Sequence, residues 1–412
     1  MRDVLISAGQ VLPGPEGRRI AAGAVLVRSG RIAAVGSYPE VAAFAPSEVR
    51  RLHRPEATVL PGLINGHVHL AFDTSTDPVA AVRGASDAEL AATMAEHARQ
   101  LVDSGVTTVR DLGDRSRSSL PLRDEIGRGE RPGPRVVASG PPLTVPGGHC
   151  WFFGGEVDGP HRARALVDEH VAAGVDLIKV MASGGQMTPS GPKMWESQFG
   201  TDELAAIVER AHAAGLRVAA HAHGPDAIAS SVAAGVDTVE HGSWLDENLR
   251  YAPLEPVVAQ MAARRIGVCP THSSNWRGFA ERVGEQKAEQ LWGRLRWMDE
   301  LGVPLVCGTD AGLPGSTFDD LVGSFGLLEH LGFGRGRILR MSTVDTAEAL
   351  GLAGETGTLE AGASADLLVV DGDPLRDLEA LRRLELVLVR GRERGVAADS
   401  AAQAPRLTGE QS

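Results

Sequence analysis

The middle of the chain repeats one pattern, in which an Ala-rich amphipathic stretch ends at a glycine and a short apolar run follows. A glycine after a helix readily takes up the left-handed conformation that ends it. A short β-branched run between helices is typical of a buried parallel strand. The pattern therefore predicts βα units and a parallel sheet. Its copies are SGVTTVRD (104–111), AGVDLIKV (173–180), AGLRVAAH (214–221), AGVDTVEH (234–241) and LGVPLVCGTD (301–310).

Counting such apolar runs gives eight candidate strands, which fits an α/β fold of the (β/α)8 TIM barrel type. A doubly wound open sheet is the alternative, but the chain lacks a Gly-rich phosphate fingerprint after a strand. The predicted strands are 58–66, 106–111, 135–139, 176–181, 217–222, 238–241, 267–270 and 304–308.

The two ends of the chain differ from the middle, because they carry short strand patterns and turns without long helices. We therefore expect a small β-sandwich domain assembled from residues 1–57 and 356–400. The barrel domain is expected to span 58–355.

Composition restricts the partners and the location. The 412 residues carry a net charge of −12, which argues against nucleic acid and anionic membranes as partners. Three scattered cysteines form no disulfide framework, and neither a signal peptide nor an apolar membrane span is evident. We expect a cytoplasmic protein that acts on a small molecule.

Ionisable residues recur where the predicted strands end, which is where barrels of this type hold their active sites. Taken singly, each has an ordinary structural explanation, such as a core histidine or a helix cap. The two histidines of HVH lie two residues apart on a strand and point to the same side. Together the residues predict a metal site. They are His67, His69, Lys179, His221, His223, His241 and Asp310.

Lys179 is unusual because it lies within the apolar run LIKVMA, where an ammonium group would be poorly solvated. Three interpretations stay open from residue types alone. The lysine forms a buried ion pair, acts as a base with a lowered pKa, or is carbamylated and bridges two cations.

These motifs resemble the amidohydrolase superfamily in its binuclear, carboxylated-lysine subtype, over nearly the whole chain. PGLINGHVHL resembles the superfamily's strand-one motif, and GTLEAGASADLLVVDGDP resembles its C-terminal β-segment. IKVMASGG, GGHCW and VEHGSW are most similar to the imidazolonepropionase-like group. That group includes bacterial prolidases, Arg/Lys carboxypeptidases and ochratoxin-type amidases.

The resemblance implies two divalent metal ions, for which zinc suits the ligands; manganese, cobalt or iron also suit them. The HVH pair and the strand-eight aspartate would hold one ion, and the histidines of strands five and six the other. The carbamylated lysine and a hydroxide would bridge them, and Asp310 would move the proton from hydroxide to the leaving amine. The implied ligands are His67, His69, Lys179, His221, His241 and Asp310.

The resemblance also indicates residues that contact the substrate. His223 stands where peptidase members usually carry tyrosine, so it is expected to polarise the scissile carbonyl. This departure weakens the transfer of peptidase activity. His149 matches a loop histidine that contacts the substrate carboxylate in the peptidases, although a loop histidine packed on Trp151 is the alternative.

Two loops are candidates for specificity because of their position. The loop 186–200 follows strand four and is rich in Pro, Gly and Ser, so Trp195 and Phe199 on it are expected to cover an apolar substrate or to anchor the loop. The loop after strand seven carries polar side chains that could meet a polar or anionic group. These are His272, Asn275 and Arg277.

The sequence thus predicts a metal-dependent hydrolase that cleaves the amide bond of an N-acyl amino acid or dipeptide. Hydrolysis of a cyclic amide, a carbamate or an ester is the alternative. Deamination and a non-catalytic barrel are less favoured, because deaminases of the superfamily usually lack the strand-four lysine and because every ligand type is present. Homo-oligomers are common in the superfamily.

Overall fold

A computed structural model describes residues 3–14 and 17–394 of the chain. The strands, in chain order, are β1 (Val4–Val11), β2 (Ile20–Ala21), β3 (Gly23–Arg28), β4 (Arg31–Ser37), β5 (Arg50–Pro61), β6 (Leu63–Val68), β7 (Val106–Asp111), β8 (Arg135–Ala138), β9 (Leu177–Met181), β10 (Arg217–Ala222), β11 (Thr238–His241), β12 (Gly267–Cys269), β13 (Leu367–Asp371), β14 (Leu384–Val389) and β15 (Arg392–Arg394). The helices are α1 (Tyr38–Ala43), α2 (Pro78–Gly84), α3 (Asp87–Asp103), α4 (Ser119–Arg128), α5 (Gly159–Ala173), α6 (Thr201–Ala213), α7 (Pro225–Ala234), α8 (Glu255–Arg264), α9 (Trp276–Val283), α10 (Glu285–Glu300), α11 (Leu321–His330), α12 (Arg335–Arg340) and α13 (Thr346–Ala349).

Parallel strands β6 to β12 form most of the wall of a barrel. Strands β6, β7 and β8 pair in chain order, and so do β9, β10, β11 and β12. The backbone N–H of Asp176 donates to the carbonyl oxygen of Ala138 over 2.9 Å, which joins the two groups between β8 and β9. Their side chains are almost entirely buried, as expected for strands covered on both faces.

An eighth extended segment, residues 303–307, closes the ring. The N–H of Val306 donates to Val268 of β12 over 2.8 Å, and the N–H of Gly66 on β6 donates to Cys307 over 2.7 Å. The predicted (β/α)8 barrel is therefore confirmed.

The first barrel strand differs from its predicted span of 58–66. Residues 58–61 belong to β5, which pairs with β1 and β13, and the barrel strand is β6 at Leu63–Val68. The chain passes from one sheet to the other at Gly62, where an added Cβ would lie 2.0 Å from the side chain of Thr107. One continuous apolar run therefore serves two sheets, which periodicity alone cannot reveal.

The remaining strands form the small β-structure from both ends of the chain, in the order β15-β14-β13-β5-β1-β3-β4, with β2 beside β1. The sheet curls on itself, since Ala365 donates to Gly30 and Gly391 donates to Ala365, each over 2.9 Å. One apolar cluster accordingly joins Ile32 on β4 to Leu386 on β14.

The predicted domain boundaries stay predictions. Strand β5 runs across the boundary at 57/58, and the predicted stretch 395–400 lies outside the described residues. Across 3–14 and 17–394, no helix combines the length and apolarity needed to cross a membrane.

A buried ion pair connects the barrel to the small β-structure. The Arg135 guanidinium on β8 lies 3.0 Å from the carboxylate of Asp366, whose side chain is fully buried. The other Asp366 oxygen accepts the backbone N–H of Arg390 over 2.6 Å. Glu355 also lies 3.2 Å from Arg135, but its side chain is 36% exposed.

We expect Asp366→Asn to lower the free energy of unfolding by about 3–5 kcal/mol, because it leaves a buried guanidinium without its main counter-charge. Urea denaturation measures this change. Glu355→Gln is the matched control, since it removes the exposed partner of the same arginine and should cost less than about 1 kcal/mol. Equal effects of the two variants would contradict this account.

Candidate active site

The ends of five barrel strands and the segment after residue 307 meet around one cavity of about 460 Å³. The barrel closure described above brings these ends together, although they are far apart in sequence. Ten of the residues predicted from sequence line this cavity. They are His67, His69, His149, Lys179, His221, His223, His241, His272, Asn275 and Asp310.

His67, His69 and Asp310 form the first compact group. The Nε2 atoms of His67 and His69 lie 3.3 Å and 3.4 Å from Oδ1 of Asp310. Nε2 of His67 and Oδ1 of Asp310 are both buried and make no well-directed hydrogen bond. The three side chains can therefore direct ligand atoms at a single ion.

His221, His223 and His241 form the second group, with ligand atoms within 4.8 Å of one another. Nε2 of His221 donates to the carbonyl oxygen of Gly184 over 3.1 Å, which leaves Nδ1 as its available nitrogen. Nδ1 of His241 bonds the Thr271 hydroxyl over 2.7 Å, which leaves Nε2. Neighbouring hydrogen bonds therefore orient each ring, as they do in metal sites.

Lys179 lies on β9 with its side chain buried, and its Nζ has no hydrogen-bond partner. Burial lowers the pKa of this amine to about 8, even though the nearby Glu240 carboxylate opposes the shift. Among the described residues, no carboxylate oxygen lies within 4.0 Å of Nζ. The first of the three interpretations, a buried ion pair, is therefore not supported.

Glu240, which the sequence analysis did not single out, organises the floor of the site. Its carboxylate accepts the Nδ1–H of His67 over 2.8 Å and a guanidinium N–H of Arg110 over 2.8 Å. Burial alone would raise the pKa of Glu240, but Arg110 and His67 hold it well below its usual range. A charged residue within the predicted buried strand 238–241, one position before His241, was the available clue.

The backbone at two of the predicted ligands is left-handed, with φ of 67° at His241 and 58° at Asp310. Residues other than glycine seldom adopt this conformation, and such strain is concentrated at functional sites. Gly308 allows close packing nearby, since an added Cβ would lie 2.5 Å from the sulfur of Cys269 and 2.9 Å from the Cβ of His67.

Burial favours the neutral form of four histidines of the site. It lowers the pKa of His69 and of His223 to about 3, and that of His221 and His241 well below the usual value. A neutral imidazole is the form that binds metal. Unpartnered buried nitrogens and oxygens, neutral imidazoles and a carboxylate thus fit divalent metal ions.

His149 lies against the second group, with its ring centroid 4.5 Å from that of His221. Its Nδ1 is buried and has no hydrogen-bond partner. Gly185 makes room for this ring, because an added Cβ would lie 2.5 Å from two of its atoms. His223 lies on the same side, and its Nδ1 bonds the Ser243 hydroxyl over 2.9 Å.

The two candidate loops place different numbers of the predicted residues in the cavity wall. Met187 and Met194 of the 186–200 loop line the cavity, whereas Trp195 does not, and Phe199 is packed in the barrel core. After β12, His272 and Asn275 line the cavity. The Arg277 guanidinium instead lies 4.0 Å above the Trp276 ring.

The amidohydrolase family matches residues 58–394, and a bacterial imidazolonepropionase-like composite domain matches residues 23–47. Ochratoxinase from Aspergillus niger is 26% identical over 93% of this chain and 84% of its own length. Imidazolonepropionase from Symbiobacterium thermophilum is 28% identical over 85% of this chain and 84% of its own length.

A solved structure of an enzyme also resembles this chain in its fold. A crystal structure of a Xaa-Pro dipeptidase with bound methionine in the active site superposes with a TM-score of 0.82 at 26% identity. The superposition covers 95% of this chain and 99% of the dipeptidase. All three relatives are named as enzymes.

We expect Thr271→Val to lower metal affinity about 10-fold or more, because His241 would lose the hydrogen bond that orients its ring. Titration of the metal-stripped protein with zinc measures this affinity. Ser243→Ala is the matched control, since it removes the equivalent bond to His223, which is not an implied ligand. A larger loss in Ser243→Ala would identify His223 as the ligand instead.

Proposed function

The chain belongs to the amidohydrolase family, and on that premise we propose that it is a metal-dependent enzyme cleaving the amide bond of an N-acyl amino acid or dipeptide-like molecule. The observation that carries the proposal is Lys179, a buried amine without a hydrogen-bond partner that lines the same cavity as two groups of potential metal ligands. Burial disfavours its charged form, and a neutral amine reacts with carbon dioxide to give a carbamate anion.

In this proposal the ligands are shared between two ions. His67, His69 and Asp310 would hold one, His221 and His241 would hold the other, and carbamylated Lys179 would supply an anionic ligand to both. Histidine and carboxylate ligands suit zinc. When bound, ions of this kind lower the pKa of water and polarise a carbonyl group.

Asp310 acts as general base and then as general acid. Its Oδ1 is buried and free of hydrogen bonds, so it can accept a proton from the attacking water. The interactions with His67 and His69 keep the pKa of Asp310 well below its usual range despite burial, so that the carboxylate is ionised before the reaction. The proton then passes to the nitrogen of the leaving amine.

His223 and His149 hold the reacting end of the substrate. Nδ1 of His223 bonds Ser243, which leaves its Nε2 for the scissile carbonyl oxygen. His149 has an unpartnered Nδ1 beside the same group. His272 would bind a more distant polar group, and Trp195 is a weaker candidate because it lies outside the cavity lining.

A cyclic amide is the second candidate substrate, because one relative is named imidazolonepropionase. Carbamate and ester hydrolysis stay open from the same chemistry. The cytoplasmic location and a homo-oligomeric assembly stay predictions.

We expect Lys179→Ala to lose both metal and hydrolytic activity, because the bridging anion would be absent. Short carboxylic acids such as propionate should restore part of both, since they supply a carboxylate in the same space. Elemental analysis and a hydrolysis assay measure the two quantities. Lys193→Ala on the exposed loop is the control and should change neither. Full activity of Lys179→Ala would refute the bridged centre.

Removal of metal by a chelator should abolish hydrolysis of N-acyl amino acids and dipeptides, and added zinc should restore it. Elemental analysis of protein purified without chelator should find two metal ions per chain. One ion per chain with unmodified Lys179 would contradict the proposal and favour a mononuclear site, for which cyclic amides and deamination substrates are the panel to assay.

A further inference from the structure

We infer that Asp111, a buried carboxylate that the proposed mechanism does not use, is a positioning residue for His69. The inference rests on the proposed function, because His69 is a proposed ligand of the first ion. Asp111 does not line the cavity. It raises the affinity for that ion by holding the backbone and the ring of His69 in the orientation that binds metal.

The hydrogen bonds of Asp111 go to backbone on either side of the proposed ligand. Asp111 is the last residue of β7, and its side chain is fully buried. One carboxylate oxygen accepts the N–H of Leu70 over 2.8 Å, and the other accepts the N–H of Gly113 over 3.3 Å. No cationic side chain of residues 3–14 and 17–394 forms an ion pair with it. A buried carboxylate without a counter-charge is costly, so these two N–H groups are its main compensation.

The bond to Gly113 acts on the imidazole ring. The carbonyl oxygen of Gly113 lies 3.4 Å from Nδ1 of His69. A ring N–H that donates to a carbonyl fixes the tautomer and leaves Nε2 to bind metal. Nε2 of His69 is also the atom that lies 3.4 Å from Oδ1 of Asp310. Asp111 therefore holds the turn that presents this carbonyl oxygen to the ring.

The bond to Leu70 acts on the backbone that carries the ring. The N–H that Asp111 accepts belongs to the peptide unit that joins His69 to Leu70. His97 on α3 holds the next peptide unit, because its Nδ1 donates to the Leu70 carbonyl oxygen over 2.9 Å. The His97 ring is itself fixed by stacking on Phe318, with ring centroids 4.0 Å apart. Two buried side chains thus hold Leu70 from its two sides.

Asp114 offers a comparison within the same loop. It is also fully buried, and its carboxylate accepts the N–H groups of Ser118 and Ser119 over 2.8 Å and 3.1 Å. These two residues begin α4. Asp111 and Asp114 are therefore matched in burial and in the kind of bond they accept. They differ in whether the bonded backbone adjoins a proposed metal ligand.

Titration of the metal-stripped protein with zinc tests the inference without turnover. We expect Asp111→Asn to weaken one of two binding steps about 10- to 100-fold, the effect typical of residues that orient a metal ligand. The physical reason is that the amide NH₂ of asparagine cannot accept one of the two N–H groups. The weakened step should be the one that Asp310→Asn also weakens, because both changes act on the first ion. The other step should stay the same.

Asp114→Asn is the matched control and should change neither binding step. Both asparagine variants should lower the midpoint of thermal unfolding of the metal-free protein, since each leaves a buried N–H without its acceptor. Unchanged zinc binding by Asp111→Asn would overturn the inference. An equal loss of zinc affinity in Asp114→Asn would also overturn it, because a general loss of structure would then explain the effect.

His97→Leu provides the test if Asp111→Asn fails to fold. It removes the donor on the other side of Leu70, and we expect the same zinc-binding step to weaken about 10-fold. His170→Leu is its control, because His170 is a buried helix histidine whose Nε2 donates to the Pro141 carbonyl oxygen over 2.8 Å. Equal zinc affinities in these two variants would refute the positioning role.

The same titration separates this inference from the proposed function. A wild type that binds two zinc ions but hydrolyses no N-acyl amino acid or dipeptide would contradict the proposed substrate and leave the role of Asp111 standing. Two ions in the wild type with unchanged binding by Asp111→Asn would overturn the positioning role alone. A wild type that binds no zinc would overturn both.

Discussion

The buried carboxylate of Glu240 is the interaction on which the site depends. It accepts bonds from Arg110 on β7 and His67 on β6 while it stands on β11, so three strands that are distant in sequence are joined by two hydrogen bonds of 2.8 Å. The same contacts fix the tautomer of His67, because a carboxylate accepts only the Nδ1–H. Nε2 is therefore directed to Asp310, 3.3 Å away.

Burial gives the site its chemistry as well as its shape. Desolvation favours neutral imidazoles and a neutral lysine amine, which are the forms that bind metal or react with carbon dioxide. Glu240 and Asp310 stay ionised because cations and imidazoles surround them. The buried site thus holds neutral nitrogen ligands and anionic oxygens together. On an exposed surface, water would leave the pKa of each group closer to its usual value.

Elements outside the strands form much of the wall of the cavity around the proposed site. The loop after β9 contributes methionines, and α9 and α10 contribute aromatic and aliphatic walls with one buried guanidinium. The barrel strands carry most of the proposed metal ligands, whereas the helices and loops around their ends supply the apolar part of the cavity wall. This division is general in barrels of this type.

The sequence by itself determined the barrel, since helices that end at glycine alternate with buried apolar runs, and it placed the proposed metal-binding residues at the strand ends. It also indicated that Lys179 is unusual, because a charge inside an apolar run is visible in the letters. Only the tertiary structure divided residues 58–66 between two sheets, because a single apolar run is compatible with a strand in either sheet. Only the fold brought Glu240 to His67, because the partner of a buried polar group can lie far away in the chain.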